Sequence, residues 1–235
     1  MEYITSIDFT HFISSSITNM GSLFFGCSSL ETINFENFEA SEITNMASML
    51  EGCLLLNSID LSNLDTRKVE NMNSMFSGCS SLNILNLSYF ETPSLKYMDN
   101  IFYGCSSLKI LDISNFNFLS VISATQIFNS ISNLEYINLY NIKDTNIIST
   151  SLLNTDDTIE NIFYICQKTN IITNIKSLNC CNFIDNETYC RDQIIPTVLN
   201  SIINTSQVCS TEISVSETNN NIIITTIMEE NKLID

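Results

Sequence analysis

The amino-acid sequence predicts an α/β solenoid with a parallel sheet on one face and short helices on the other. Cys27, Cys53, Cys79 and Cys105 follow one another at intervals of 26 residues, each directly after a glycine. Each interval also contains one stretch in which apolar and polar residues alternate and another in which apolar residues are spaced three, three and one apart. A fixed period of this length is typical of proteins built from stacked repeats.

The alternating stretch of each repeat predicts a strand of the form L-x-x-L-x-L. Its last two apolar residues are separated by one polar residue, as in a half-buried strand. The copies are Leu30-Ile33-Phe35, Leu56-Ile59-Leu61, Leu82-Leu85-Leu87, Leu108-Leu111-Ile113 and Leu134-Ile137-Leu139. Together with Ile7 and Phe9, they predict six strands in parallel register.

The stretch that follows each strand predicts a short helix. The spacing of its apolar residues, three, three and one over residues 69–76, places them on one face of a helix. Thr66 stands at the N-cap position, and Pro93 occupies the first helical turn of the next repeat. Gly78 lies where a left-handed C′ residue belongs. The predicted repeat is therefore strand, turn, helix, turn.

The repeat fades along the chain and divides it into three predicted parts. Residues 1–142 form a solenoid of about five to six repeats, of which the first is truncated. Residues 143–211 form a degenerate repeat and a cysteine-containing cap, in which residues 158–165 predict one more strand. Residues 212–235 form a tail that is either an edge strand or disordered. Because the chain begins within a repeat and lacks a signal peptide, we expect its N-terminus to be incomplete.

The charge balance narrows the classes of partner. The chain has 26 acidic and 9 basic residues and a formal net charge of −17. Nucleic acid and anionic membranes are therefore not expected as partners, since phosphate contacts need Lys and Arg. The longest apolar runs fall far short of the roughly 20 residues that cross a bilayer, so no membrane span is predicted.

The residues 71–82, which read N-M-x-x-M-F-x-G-C-S-S-L, resemble the 26-residue repeat of BspA-like leucine-rich-repeat surface proteins. The resemblance extends over roughly residues 4–142. It implies a right-handed leucine-rich-repeat superhelix at the surface of bacterial or protist cells, or secreted, which acts in adhesion and protein binding. The sequence departs from the general leucine-rich pattern at Phe38, Leu64 and Phe90, where Asn or Cys is usual.

The outward positions of the predicted strands form the candidate partner-binding surface. Apolar and aromatic residues accumulate toward one end of this face, and an apolar patch with a polar rim is typical of a contact surface. The candidate residues are Ile84, Asn86, Ile110, Asp112, Tyr136, Asn138 and Tyr140. The alternative is a solvated face on which stacked Asn and Asp side chains form hydrogen bonds.

The nine cysteines fall into two groups. The four periodic ones are expected to be buried thiols that pack as small apolar side chains. The irregular ones predict either a small disulfide framework in an oxidising compartment or reduced thiols in a cytosolic cap; they are Cys166, Cys180, Cys181, Cys190 and Cys209. Asn186 and Asn204 are the candidate N-glycosylation sites, whereas the sequon at Asn86 lies in a predicted strand.

No catalytic, cofactor-binding or metal-binding residue is predicted. The sequence has no G-x-S-x-G elbow and no Gly-rich phosphate loop, and His11 is its single histidine. We therefore expect a non-catalytic module that binds a protein or a glycan through the strand face. Its role in adhesion at a cell surface is what the resemblance to BspA-like proteins implies. The alternative is an intracellular leucine-rich-repeat scaffold for protein–protein interaction.

Overall fold

The computed structural model of the chain describes residues 4–10, 16–38, 40–139 and 142. It also describes the backbone of strands at 164–166, 182–184, 213–218 and 221–226. The chain divides into two compact units, Met1–Ile195 and Pro196–Asp235, and each is described by itself.

Short parallel strands recur along the first unit. Among its described residues they are β1 (Ser6–Asp8), β2 (Thr32–Asn34), β3 (Ile84–Asn86), β4 (Ile110–Asp112), β5 (Tyr136–Asn138), β6 (Tyr164–Cys166) and β7 (Asn182–Ile184). Within the repeats each pair is offset by 26 residues, as for Leu85 beside Leu111. Beyond β5 the step changes, because Tyr136 pairs with Tyr164 and Tyr164 pairs with Asn182. Strand β6 overlaps the end of the degenerate strand predicted over 158–165.

The predicted row of six strands is interrupted in the third repeat. Residues 58–60 form no strand, so the strands divide into a two-stranded sheet, β1-β2, and a five-stranded sheet, β3-β4-β5-β6-β7. Leu61 is nevertheless buried, and Ile59 packs partly buried against the core. The apolar side chains of this repeat therefore stay in place where the strand pairing is lost.

A second row of parallel pairings joins the repeats without interruption. Isolated bridges connect one residue of each repeat to its equivalent in the next, in the order Asn19, Asn45, Asn71, Tyr97 and Ser123. We call the residues around this row the turn segments; they are 19–27, 45–53, 71–79, 97–105 and 123–131. The residues 6–8, 32–34, 58–60, 84–86, 110–112 and 136–138 are the strand segments. The turn row runs unbroken past the repeat in which the strand row fails.

The turn segments correct the prediction of short helices, since the described residues contain no helix. In the third repeat, the backbone N–H of Met75 donates to the carbonyl of Met72, three residues earlier, and Cys79 donates to Phe76 in the same way. The residue before each closing donor has a positive φ, 55° at Ser74 and 72° at Gly78. Such a residue fits the third position of a tight turn and cannot continue a right-handed helix.

Alternate N–H groups of the turn segments, from Met72 to Gly78 in the third repeat, donate to the next repeat. The N–H of Phe76 donates to the carbonyl of Ile101 at 2.9 Å, and that of Gly78 donates to Tyr103 at 2.7 Å. A helix would use these donors within the segment, four residues back. Here every second donor holds two repeats together, so the apolar spacing that resembled a helix belongs to a stack of turns.

The core is a set of apolar rows, each made from equivalent residues of successive repeats. One row is entirely leucine and 0% exposed: Leu30, Leu56, Leu82, Leu108 and Leu134. In another, the rings of Phe76, Phe102 and Phe128 stack with centroid distances of 5.9 and 6.1 Å. Because one repeat cannot bury its own apolar face, this core exists only between neighbours.

The second unit contains an antiparallel hairpin. Strand β8 (Ile213–Thr218) pairs with β9 (Asn221–Thr226), with Val215 opposite Ile224. Both strands lie within residues 212–235, the tail for which an edge strand was one of the two predictions. Within the described parts of the chain, no helix is long and apolar enough to cross a membrane.

Candidate binding surface

The Asp and Asn residues at the ends of the strand segments serve as caps for the turn that follows. From Asp8 to Asp112, the side-chain oxygen of each accepts the backbone N–H of the residue two positions later. The distance is 2.9 Å from Asp60 to Ser62 and 3.0 Å from Asn86 to Ser88. Because these oxygens are used within the protein, the row is explained by local turn chemistry without a ligand.

Most of the predicted strand-face surface is buried, which corrects the expectation that these side chains are exposed. Ile110, Asp112, Tyr136 and Asn138 are between 0% and 5% exposed. Asn138 donates through Nδ2 to Asp112 Oδ2 at 2.9 Å. Burial, followed by the charge of Asp112, raises the pKa of the Tyr136 phenol. These side chains therefore belong to the interior.

The two candidates on strand β3 are more accessible. Ile84 is half-buried and Asn86 is exposed, while Tyr140 lies outside the described residues. In the sequence, the apolar and aromatic residues at the outward strand positions, such as Ile110 and Tyr136, were the signal that could have predicted the burial of this face. Strands with apolar residues on both faces are typical of sheets covered on both sides.

The four periodic cysteines form a buried row of free thiols. The thiol of Cys79 donates to the carbonyl of Leu50 at 3.2 Å, and that of Cys105 donates to Phe76 at 3.1 Å. Burial raises the pKa of Cys53 and Cys105 to about 12, and it raises the pKa of Cys79 well above its usual value. Since the thiolate is the reactive form, burial makes Cys53, Cys79 and Cys105 poor nucleophiles.

The remaining candidates lie in parts of the chain without described side chains. Cys166 belongs to β6, of which only the backbone is described. The other candidates for a disulfide or for glycosylation lie outside the described residues; they are Cys180, Cys181, Cys190, Cys209, Asn186 and Asn204. In the part of the chain that the structure does describe, no group of three or more His, Cys, Asp or Glu residues could hold a metal ion.

A polar groove of about 470 Å³ runs across the turn segments of four successive repeats. One row of its lining consists of Glu51, Ser77, Tyr103 and Asn129. The other lining residues are Ser74, Asn100, Gln126 and Ser130. All of the latter have a positive φ, between 53° and 60°. The tight turns thus bring polar side chains of neighbouring repeats to one surface.

Two features distinguish the groove from an ordinary solvated surface. Tyr103 is 42% exposed. Asn129 is 8% exposed, and its side-chain Oδ1 has no hydrogen-bond partner among the described residues. A buried amide oxygen without a partner is costly and rare. No sequence pattern marks this groove, because its residues stand singly between the apolar residues that define the repeat.

Comparison with known proteins places the chain in one family. The family described as "Mycoplasma protein of unknown function, DUF285" matches residues 18–141 and, in a second alignment, residues 56–164. The matched residues are more than half of the 235 in the chain and include the repeats with the groove. No curated protein and no solved structure matches the sequence. The chain therefore belongs to the DUF285 family.

Proposed function

We propose that the protein is a leucine-rich-repeat-like solenoid that acts as a non-catalytic recognition module and binds a protein or a glycan at a cell surface. One observation carries the proposal: the buried cysteine row keeps its residue type from repeat to repeat, whereas the row that leads into the groove changes. The surface location rests on the resemblance to BspA-like surface proteins.

The contrast between buried and exposed rows is clear within the turn segments. The buried row of cysteines has the same residue type in four repeats. Two positions earlier, the row that leads into the groove reads Phe25, Glu51, Ser77 and Tyr103. A repeated interior with a varied exterior is the arrangement of repeat proteins, in which a rigid stack presents a particular set of side chains.

The proposal has an intracellular alternative, a scaffold of the same fold. Brief protease treatment of intact source cells, followed by detection with an antibody against the chain, separates the two. We expect the protein to be degraded while a cytosolic marker survives. Survival of the protein until the cells are lysed would favour the scaffold.

Recognition itself is tested with the full chain of 235 residues on panels of immobilised glycans and extracellular proteins. We expect saturable binding to at least one member. A side-by-side assay for turnover of the same panel provides the contrary result, since turnover without stable binding would contradict a non-catalytic module.

A further inference from the structure

We propose that the groove on the turn segments is a binding site for an uncharged oligosaccharide. The inference deepens the proposed recognition function and rests on it. The aromatic ring of Tyr103 would pack against a sugar ring, while the side chain of Asn129 and its polar neighbours would bind hydroxyl groups.

Tyr103 supplies the apolar surface that a sugar site needs. Its side chain is 42% exposed and lies in the lining of the groove. A tyrosine ring combines an apolar face with a hydroxyl group that forms hydrogen bonds. A pyranose has the matching pair of surfaces, one of C–H groups and an edge of hydroxyls. Tyr103 is therefore suited to a partner that is apolar on one face and polar at its rim.

Asn129 supplies an unused hydrogen-bonding group beside this ring. Its backbone is fixed, because its carbonyl accepts the N–H of Gly104 at 3.0 Å. Its side-chain Oδ1 is buried and has no partner among the described residues. Rotation of the amide toward the groove would let this oxygen accept a hydroxyl proton. Binding would then satisfy an acceptor that the free protein leaves unpaired.

The other lining residues favour hydroxyl groups over charged or apolar ligands. Asn100 and Gln126 each carry an amide that can both donate and accept. Among the described residues, the lining contains no Lys or Arg, and it includes the carboxylate of Glu51. In a chain of net charge −17, this composition disfavours phosphate, sulfate and carboxylate groups. A peptide anchor would need an apolar pocket, and Tyr103 is the single apolar contributor among the described lining residues.

The dimensions of the groove suit a chain of sugars better than a single ring. Its lining residues come from four successive repeats, beginning with Glu51 and ending with Ser130. Neighbouring chains in a parallel ladder lie about 4.8 Å apart, so the groove spans about 14 Å along the stack. A volume of about 470 Å³ is within the range of small-ligand sites.

The experiment measures binding of the full chain to neutral oligosaccharides of glucose, mannose and N-acetylglucosamine, by titration calorimetry and saturation-transfer NMR. We expect at least one of them to bind with a Kd in the millimolar range or below. Tyr103→Ala should weaken that binding by about tenfold or more, whereas Tyr103→Phe should keep most of it. Asn129→Leu should also weaken it, because the side chain can no longer accept a hydrogen bond.

Tyr89→Ala is the matched control, since Tyr89 is 62% exposed and lies outside the groove. Its affinity should stay within about twofold of the unchanged protein, as for residues away from a contact. Thermal unfolding of each variant shows whether the fold is kept, and Tyr103→Phe provides the second test if Tyr103→Ala does not fold.

Three results would overturn the inference. Sugar binding that Tyr103→Ala and Asn129→Leu leave unchanged would place the sugar elsewhere and leave the proposed recognition function intact. Stronger binding of sulfated or acidic sugars than of neutral ones would contradict the assigned ligand class. Absence of binding to every neutral oligosaccharide, with a protein partner still bound, would refute the groove as a sugar site while keeping the module. Loss of both kinds of binding would refute the proposed function as well.

Discussion

The strand segments and the turn segments are built from the same 26-residue period, yet they join the repeats in different ways. The strand row is interrupted at residues 58–60 and is buried at β4 and β5. The turn row continues from Asn19 to Ser123 and leaves an open groove. The comparison indicates that the turn segments, with a donor to the next repeat at every second residue, carry the continuity of the stack.

The prediction with the largest expected loss of stability concerns the aromatic row of the turn segments. Phe102 is fully buried between Phe76 and Phe128. Phe102→Ala should lower the free energy of unfolding by about 3–5 kcal/mol, because it removes a large side chain from a closed core. Urea titration followed by circular dichroism measures the loss. Tyr103→Ala, at the next and exposed position, should cost less than about 1 kcal/mol. Equal losses would mean that burial in the aromatic row is not what stabilises the turn segments.

The second test uses the pH dependence of the buried thiols. Burial raises the pKa of the Cys53 and Cys105 thiols from the ordinary value of 9.0 to about 12 in the folded protein. Above pH 9 the unfolded chain releases these protons and the folded chain does not, so stability is complete below pH 9 and falls between pH 9 and 12. The loss should be about 1 kcal/mol per thiol for each pH unit in that window.

Urea midpoints at pH 8 and pH 10 measure this effect. Replacing Cys105 with Ala removes one of the titrating groups and should make the dependence shallower. A midpoint that stays constant up to pH 11 would show that the thiols are accessible, and native alkylation of the same residues would agree with that result.

The third test concerns the left-handed turn positions. Gly78 has a φ of 72°, and a Cβ added there would lie 3.7 Å from the backbone of Gly52, which is an ordinary contact. Gly78→Ala should therefore cost about 1–2 kcal/mol through conformation alone. Gly78→Asn should cost less, because Asn adopts this conformation more readily. Thermal unfolding compares the two variants, and a harmless Ala would contradict the assigned turn.

The prediction with the smallest expected effect on stability compares one polar cap from each kind of segment. Asn71 Oδ1 accepts the N–H of Asn73 at 2.9 Å in a half-buried turn segment. Asn86 Oδ1 makes the equivalent bond to Ser88 in an exposed strand segment. Replacement by Ala should cost about 1 kcal/mol at Asn71 and about half as much at Asn86, since water replaces the exposed bond more easily. The reverse order would give the strand segments the greater share of stability.

The sequence predicted the period, the parallel 26-residue register and most of the buried positions. These follow from the repeated apolar residues, because a row such as Leu82 and Leu108 can be buried only by stacking. The prediction of short helices over the turn segments was wrong. Spacings of three, three and one fit both a helix and successive turns, and positive φ at a serine such as Ser74 leaves no sequence signal as strong as glycine.

The surface was the least predictable part. Strand alternation assigned Tyr136 and Ile110 to an open face, yet both are buried. Alternation tells which residues share a face, and it does not tell whether that face is covered. The groove depends on Tyr103 and Asn129 meeting polar residues of other repeats. Only the folded arrangement of the turns places those residues together.

The bonds between equivalent residues also determine which changes of length the chain tolerates. Up to β5, the backbone contacts between neighbouring repeats, such as Gly78 to Tyr103 or Asn45 to Asn71, join residues about 26 positions apart. Duplication or deletion of one whole 26-residue unit would restore each neighbour and would lengthen or shorten the groove by one set of side chains. Deletion of a single residue would move polar side chains into every apolar row beyond it. Variants of this protein should therefore differ in length by multiples of the repeat.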